Sequence, residues 1–205
     1  MSPADEFPFR LAVGVFWLLN TVLRTWFQLK VRREEVVERR NEQRAKLFFR
    51  LMALSYVLIL FYVLSSWFDF AHFPLPGLAR WSAGGGLLVL SLALFWWSHA
   101  TLGLNWSGLL EIHRRHALVM TGPYRAIRHP MYAAFFLSAV GLLTLSANWL
   151  IGGAYLLGVA LMYLDRVTAE DQMMMERFGE EYKAYVKRTN RLIPRIRFGS
   201  PQAHQ

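Results

Sequence analysis

The chain has 205 residues, of which 55% are hydrophobic, and its mean hydropathy is +0.25. This composition is too apolar for an ordinary soluble domain of the same length, and it indicates membrane-spanning segments. The absence of cysteine excludes disulfides, thiolate metal sites and a cysteine nucleophile. The formal net charge is +9, but the basic residues cluster at the ends of apolar runs, as orientation in a membrane requires, so we expect no nucleic-acid partner.

Five apolar runs predict five membrane-spanning helices. The first three are at least 21 residues long, enough to cross a hydrocarbon core of about 30 Å. The last two have 15 and 16 residues, too few at about 1.5 Å per residue, so we expect a helical hairpin whose helices are extended by flanking residues. The runs are Phe9–Leu29, Leu47–Phe68, Trp81–Leu102, Met131–Leu145 and Trp149–Leu164, with the hairpin turn at Ser146-Ala147-Asn148.

Two details concern the first and third runs. The N-terminal end carries Asp5 and Glu6 where a cleavable signal would carry basic residues, so the first run is expected to remain as a span. In the third run, Gly84–Gly86 would let a neighbouring helix approach closely. His99, near the end of that run, is expected to be a hydrogen-bonded interfacial residue.

The basic residues between the spans predict the orientation of the chain. From the first connection to the C-terminal tail, Lys and Arg number seven, one, four, zero and eight. Basic segments are retained in the cytosol, so we expect the N-terminus outside and the C-terminus inside. The first connection is expected to be a solvated helix with ion pairs such as Glu35 with Arg39. The expected cytosolic segments are Lys30–Lys46, Asn105–His129 and Asp165–Gln205.

The stretch Gly122–Tyr132, G-P-Y-R-A-I-R-H-P-M-Y, concentrates reactive side chains at a membrane boundary. Its two prolines restrict the backbone, so Arg128-His129 forms a stiff turn before the fourth helix. Arg128 offers a planar fork to a carboxylate or phosphate, and His129 can donate or accept a hydrogen bond. Tyr124 and Tyr132 offer aromatic faces to a cation or a base. A positively charged loop with interfacial tyrosines is the alternative interpretation.

Charged residues on the extended fifth helix are expected to meet this stretch, because a hairpin returns the chain to the same side of the membrane. Arg166 and Glu170 lie on one helical stripe. Charges at a membrane boundary are costly unless they are paired or functional, so both are candidates to face a pocket. A surface ion pair is the alternative. The stripe comprises Tyr163, Arg166, Glu170, Met173 and Arg177.

An amphipathic segment is predicted to follow Gly179. Its apolar side carries Tyr182 and Tyr185, and its charged side carries Lys183 and Lys187. Such a segment suits a position on the membrane surface or over a pocket.

The chain resembles the integral-membrane methyltransferases that include isoprenylcysteine carboxyl methyltransferases and phospholipid methyltransferases. The resemblance rests on the stretch at 122–132, on Glu170-Asp171 after the apolar hairpin, and on F-G-E-E-Y-K-A-Y-V-K-R-T-N-R-L-I-P at 178–194. Gly103–Ser107 looks like the family's preceding segment, so the resemblance covers about the C-terminal half.

This resemblance implies methyl transfer from S-adenosylmethionine, which enters from the cytosol, to a lipophilic acceptor that enters from the bilayer. The family's acidic pair is usually two glutamates, and the shorter second acid here reduces its reach. The motif arginine-histidine-proline-x-tyrosine corresponds to Arg128, His129, Pro130 and Tyr132, and the acidic pair corresponds to Glu170 and Asp171.

Residues and resemblance together predict an all-α integral membrane protein of about five transmembrane helices with a cytosolic C-terminal helical cap. Three N-terminal spans are expected over 1–102 and a methyltransferase core over 103–205. His129 has no spaced partner, so no metal site is expected. The expected catalytic residues are Arg128, Arg166 and Glu170, and the expected donor-binding residues are Tyr124, Arg128, His129, Pro130, Tyr132, Glu170 and Asp171.

The acceptor is expected to be the carboxylate of an isoprenoid or isoprenylcysteine-like compound. A phospholipid amine, a small hydrophobic thiol, and a non-catalytic transporter or scaffold are the alternatives that the sequence leaves open. Membrane lipids are the other expected partners, and the sequence leaves the oligomeric state open.

Overall fold

The structure is a computed structural model, and it describes residues 3–31, 36–40, 57–105, 110–113 and 117–195. The described chain is predominantly helical, which confirms the predicted fold class. The helices are α1 (Pro3–Val31), α2 (57–64), α3 (Gly86–Leu102), α4 (Pro130–Ser146) and α5 (Trp149–Arg188), and the strands are β1 (Val36–Arg40) and β2 (Leu110–His113). A helical turn, Gly77–Ala79, and a π-helix, Arg80–Gly85, lead into α3, and 3-10 turns cover Asp69–Ala71, Gly103–Asn105 and Gly122–Arg125.

Three helical segments are long and apolar enough to cross a membrane, namely Asp5–Lys30, Gly77–Asn105 and Trp149–Arg188, and α4 is a shorter apolar helix. The protein is therefore a multi-span membrane protein in its architecture. Residues 47–56 of the second predicted span lie outside the described residues, so the count of five remains a prediction, as does the division at residue 102.

The predicted hairpin of the last two helices is present. Ala147 takes the left-handed conformation, with φ 45°, and ends α4. The Asn148 side chain then accepts the amides of Leu150 and Ile151, which caps the start of α5. The 40-residue α5 continues past the apolar run, as predicted, and is broken at Gly179, where φ is 51°.

Close packing of α4 against its neighbours depends on glycine. A Cβ at Gly84 would lie 2.6 Å from the Leu145 amide nitrogen. This confirms that the glycine run admits a neighbouring helix, although at Gly86 a Cβ would meet nothing within 4 Å. His99 is buried, and its Nδ1 lies 3.0 Å from the Phe95 carbonyl oxygen, so its predicted hydrogen bond is present.

A buried ionic cluster joins the N-terminus to the end of α4, and the sequence did not predict it. Arg80 donates to both carboxylate oxygens of Glu6 at 2.7 Å. The same guanidinium donates to the carbonyls of Leu145, at 2.9 Å, and Ser146, at 3.2 Å. The third predicted span begins at Trp81, which leaves Arg80 in the preceding connection. In the structure the helical segment begins at Gly77, and Arg80 caps the last carbonyls of α4.

The first connection corrects another prediction. Residues 36–40, expected to be part of a solvated helix, form β1, which pairs antiparallel with β2. The two consecutive β-branched residues Val36 and Val37 favour an extended chain. The partner strand supplies the backbone hydrogen bonds that a helix would have formed within itself. Residues 32–35, 41–46, 106–109, 114–116 and 196–205 of the predicted cytosolic segments lie outside the described residues.

The connections meet at two opposite ends of the helices. At one end β1 meets β2, and Ile127 forms a bridge with Asn190. At the other end His72 forms a bridge with Asn148. This grouping agrees with the predicted alternation of loops, while the assignment of the first end to the cytosol and of the N-terminus to the outside remains a prediction.

Candidate functional site

The motif loop, Gly122–His129, precedes α4 and is held by the chain that follows α5. The amide of Arg128 donates to the Asn190 carbonyl, and the amide of His129 donates to the Arg191 carbonyl, both at 2.9 Å. Gly122, with φ 55°, has no room for a Cβ, which would lie 2.6 Å from the Thr101 hydroxyl oxygen. The loop is therefore fixed between α3 and the C-terminal segment.

His129 brings this loop to the acidic pair on α5. Its Nε2 lies 3.0 Å from Asp171 Oδ1, and its Nδ1 lies 3.5 Å from Glu170 Oε2. Burial lowers the pKa of His129, but the adjacent carboxylates of Asp171 and Glu170 outweigh it, so the pKa is raised above its ordinary value. When His129 is protonated, its two ring nitrogens can donate toward the two acids.

Asp171 forms hydrogen bonds and ion pairs with three side chains of the cluster. Besides His129, its Oδ1 accepts the Tyr182 hydroxyl at 2.5 Å. Its Oδ2 accepts Arg191 Nε at 2.9 Å, and Arg191 Nη2 lies at the same distance. Asp171 therefore ties α5, the motif loop and the segment after Gly179 together.

Glu170 has a different set of partners. Its Oε1 accepts the Tyr132 hydroxyl at 2.7 Å and lies 3.3 Å from Arg166 Nη2. The rings of Tyr132 and Tyr163 meet edge to face, with centroids 5.3 Å apart. The side chains of Arg166 and Glu170 are 14% and 25% exposed, so their ion pair is shielded and is not the surface pair weighed as the alternative.

The two arginines of the motif loop have different environments. The Arg128 side chain is 9% exposed, and its Nη1 donates to the carbonyls of Thr189 and Val186. Its Nε lies 3.8 Å from Asp171 Oδ1 and has no hydrogen-bond partner among the described residues. Arg125, in contrast, is exposed.

The amphipathic segment after Gly179 forms a cap on the motif loop. As predicted, Tyr182 and Tyr185 are buried, while Lys183 is exposed. The Tyr185 hydroxyl donates to the Tyr124 carbonyl at 2.6 Å. Tyr124 itself is buried, and burial raises the pKa of its phenol well above its ordinary value, so it stays neutral.

The structure thus brings together nearly all of the predicted site residues. Pro130 begins α4 and is buried. Met173 lies buried on the predicted stripe, but Arg177 is exposed and does not join the cluster. Arg191 was not among the expected site residues, and only its place in the motif at 178–194 could have indicated it. No group of three acidic or histidine residues in the described ranges is arranged to hold a metal ion.

Fold and site together define a helical membrane protein with a charged cluster at one end of its helices. Residues 85–176 match the profile of the isoprenylcysteine carboxyl methyltransferase (ICMT) family, which confirms the resemblance predicted from the sequence.

Curated proteins with two different descriptions are similar to this chain. Protein-S-isoprenylcysteine O-methyltransferase of Rattus norvegicus is 30% identical over 147 residues, 65% of this chain and 50% of that protein. The cobalt-zinc-cadmium resistance protein CzcN of Cupriavidus metallidurans is 32% identical over 110 residues, 53% of this chain and 50% of that protein.

The solved structure of a eukaryotic intramembrane Ras methyltransferase ICMT superposes with a TM-score of 0.53 at 23% identity, over 78% of this chain and 55% of that one. At this identity the likeness concerns the fold. The chain spans about half the length of the curated relatives that it matches.

Proposed function

We propose that this protein transfers a methyl group from S-adenosylmethionine to a carboxylate on a lipophilic acceptor, at the cluster formed by the motif loop and the acidic pair. The observation that carries the proposal is the position of His129, which lies between Glu170 and Asp171 and so joins the two family motifs into one site.

The charged groups fit the donor. S-adenosylmethionine carries a carboxylate, an ammonium, a ribose diol and the sulfonium whose methyl group it supplies. Arg128 would hold the carboxylate, because its buried Nε has no hydrogen-bond partner among the described residues. Glu170, a quarter exposed, would accept from the cationic or hydroxyl groups, with Arg166 and Tyr132 fixing its orientation. Tyr124, His129, Pro130 and Asp171 would shape this pocket.

The charge balance favours a carboxylate as the acceptor. The three arginines of the cluster outnumber its two acids, and a protonated His129 adds to this excess, which suits an anion. An amine would have to lose a proton, and both candidate bases are already hydrogen-bonded to cations, which weakens them. The cationic groups are Arg128, His129, Arg166 and Arg191, and the anionic groups are Glu170 and Asp171.

In the proposed reaction a carboxylate oxygen forms a bond to the methyl carbon while the carbon–sulfur bond breaks. The bonding electron pair stays on sulfur, giving a thioether and a methyl ester, and no proton moves. The residues therefore need to align and desolvate the reactants, not to act as acid or base. We place this site on the cytosolic side, with the acceptor entering from the bilayer.

The test is donor binding by the detergent-solubilised chain, measured by calorimetry. Glu170→Gln keeps the shape of the side chain and removes its charge, and we expect its affinity for S-adenosylmethionine to fall about tenfold or more. Glu180→Gln, on the exposed Glu180 of the same helix, is the matched control. No donor binding by the parent chain would refute the proposal and favour a transporter or a scaffold.

A second measurement identifies the acceptor atom. With methyl-labelled donor and a bacterial lipid extract, we expect a product that releases labelled methanol on mild alkaline treatment, as a methyl ester does. Label that resists alkali would indicate an amine or thiol acceptor instead.

A further inference from the structure

The segment that follows the cap helix returns to the level at which α4 begins. The amides of Arg128 and His129 donate to the carbonyls of Asn190 and Arg191, both at 2.9 Å. Pro130 then begins α4, which is an apolar helix. Asn190 and Arg191 therefore lie where the chain passes from the polar motif loop into its apolar course, at the depth of a membrane interface.

An apolar side chain is exposed just beyond this point. Ile193 is 71% exposed, and Pro194 beside it is also exposed. A lone exposed isoleucine is ordinary on a surface that faces water. Two residues beyond Arg191, however, Ile193 lies at the depth where lipid headgroups meet acyl chains, and burial of its side chain there is favourable.

Three cations flank this isoleucine in the sequence. Lys187, Arg188 and Arg195 are exposed, and none of them forms an ion pair with an acidic residue in the described part of the chain. Arg195 Nη1 donates to the Lys187 carbonyl, which brings the two ends of the segment together. The basic strap, Lys187–Arg195, therefore combines an exposed apolar residue with three cations that are available to an anionic partner.

The charges of the cap helix are separated along its axis. Glu180 and Glu181 lie at the end next to Gly179, and Lys187 and Arg188 lie at the end next to the motif loop. Seven residues separate the two ends, or about 10 Å at about 1.5 Å per residue. The cations thus lie toward the start of α4 and the acids away from it, which is the polarity that a negatively charged leaflet favours.

We propose that the basic strap binds anionic phospholipids of the adjacent leaflet, with its cations on the headgroup phosphates and Ile193 at the boundary of the acyl chains. An acidic peptide would satisfy the cations alone, whereas a lipid headgroup satisfies the cations and the isoleucine at one depth. The strap lies outside the charged cluster, so lipid binding there does not depend on methyl transfer.

The test is native mass spectrometry of the chain in neutral detergent, with phosphatidylglycerol and phosphatidylcholine that carry the same acyl chains. We expect phosphatidylglycerol to bind about tenfold or more tightly. Lys187→Gln combined with Arg195→Gln should weaken its binding by about tenfold or more, at about fivefold for each cation lost. Arg177→Gln combined with Lys183→Gln is the matched control, because it removes the same residue types from exposed positions near Gly179, and it should change the affinity less than about twofold.

A depth measurement tests the same proposal without altering the cations. The chain contains no cysteine, so Ile193→Cys and Glu180→Cys each accept one spin label in vesicles that contain phosphatidylglycerol. At residue 193 we expect more frequent collisions with oxygen than with a water-soluble nickel complex, as at the boundary of the acyl chains. At residue 180 we expect the reverse.

Equal binding of the two lipids, or unchanged phosphatidylglycerol affinity in a folded Lys187→Gln/Arg195→Gln chain, would overturn the proposal. If that double variant does not fold, the spin labels decide, since a label at residue 193 in an aqueous environment would be incompatible with lipid contact. Displacement of phosphatidylglycerol by inorganic phosphate or by hexaglutamate at constant ionic strength would assign the cations to a soluble anion or to an acidic protein segment, and the lipid assignment would then be wrong.

Discussion

Exchanging Arg128 for lysine should separate a geometric role from a simple positive charge. Arg128 Nη1 donates to the Thr189 and Val186 carbonyls, while its Nε points toward Asp171 at 3.8 Å. A lysine has a single nitrogen and cannot occupy both directions. Losing a charged hydrogen bond costs about 1.5 to 3 kcal/mol, which corresponds to a factor of about 10 to 150 in affinity.

We therefore expect Arg128→Lys to raise the dissociation constant for S-adenosylmethionine by at least about tenfold. Arg125→Lys is the matched control, because Arg125 is exposed in the same loop and net charge is unchanged in both variants. Calorimetry gives the two constants, and thermal unfolding in detergent gives the stabilities. Equal donor affinity in the two variants would refute the reasoning, and a lower melting temperature alone would restrict Arg128 to holding the cap.

Three further predictions follow from particular contacts. Gly84→Ala should destabilise the fold by about 1 to 3 kcal/mol, because the added Cβ clashes with the Leu145 backbone. Gly86→Ala is the control, since a Cβ there has no atom within 4 Å and should leave stability unchanged. Equal thermal stability of the two variants would contradict the prediction. Because the pKa of His129 is raised in the folded state, protonated His129 stabilises the fold fully below a pH of about 6.5. This stabilisation is lost as the pH rises through the folded-state pKa. The unfolding temperature should therefore fall over that range in the parent but not in His129→Gln. A single cysteine at Leu78 should be labelled from outside intact cells and one at Lys187 only after permeabilisation, and the reverse pattern would invert the proposed orientation.

The parts of this structure that the sequence predicted are those that local chemistry decides. Residues 165–178 contain no Pro or Gly, which predicts that the last helix continues past its apolar run. Gly179 predicts the break in that helix. The same holds for the cap, because Tyr182 and Tyr185 alternate with lysines at helical spacing.

The parts that the sequence did not predict depend on partners far along the chain. Glu6 and Arg80 are separated by 74 residues, and nothing near either one indicates a buried pair. Likewise β1 exists because β2 lies beside it, and the charged composition of the first connection indicated a helix. Arg191 lies 20 residues from Asp171, and only folding of the segment after Gly179 brings them together.

The second acid of the pair illustrates how the cap and the site depend on each other. The short side chain of Asp171 reaches its partners because the segment beyond Gly179 packs against it. Tyr182 and Arg191 both belong to that segment. Those groups occupy both oxygens of Asp171, whose side chain is 17% exposed. Glu170 is 25% exposed, and beside its Oε2 lies the more distant His129 Nδ1, at 3.5 Å, so Glu170 has more capacity left for a ligand. We therefore propose that Glu170 contacts the donor and that Asp171 positions His129.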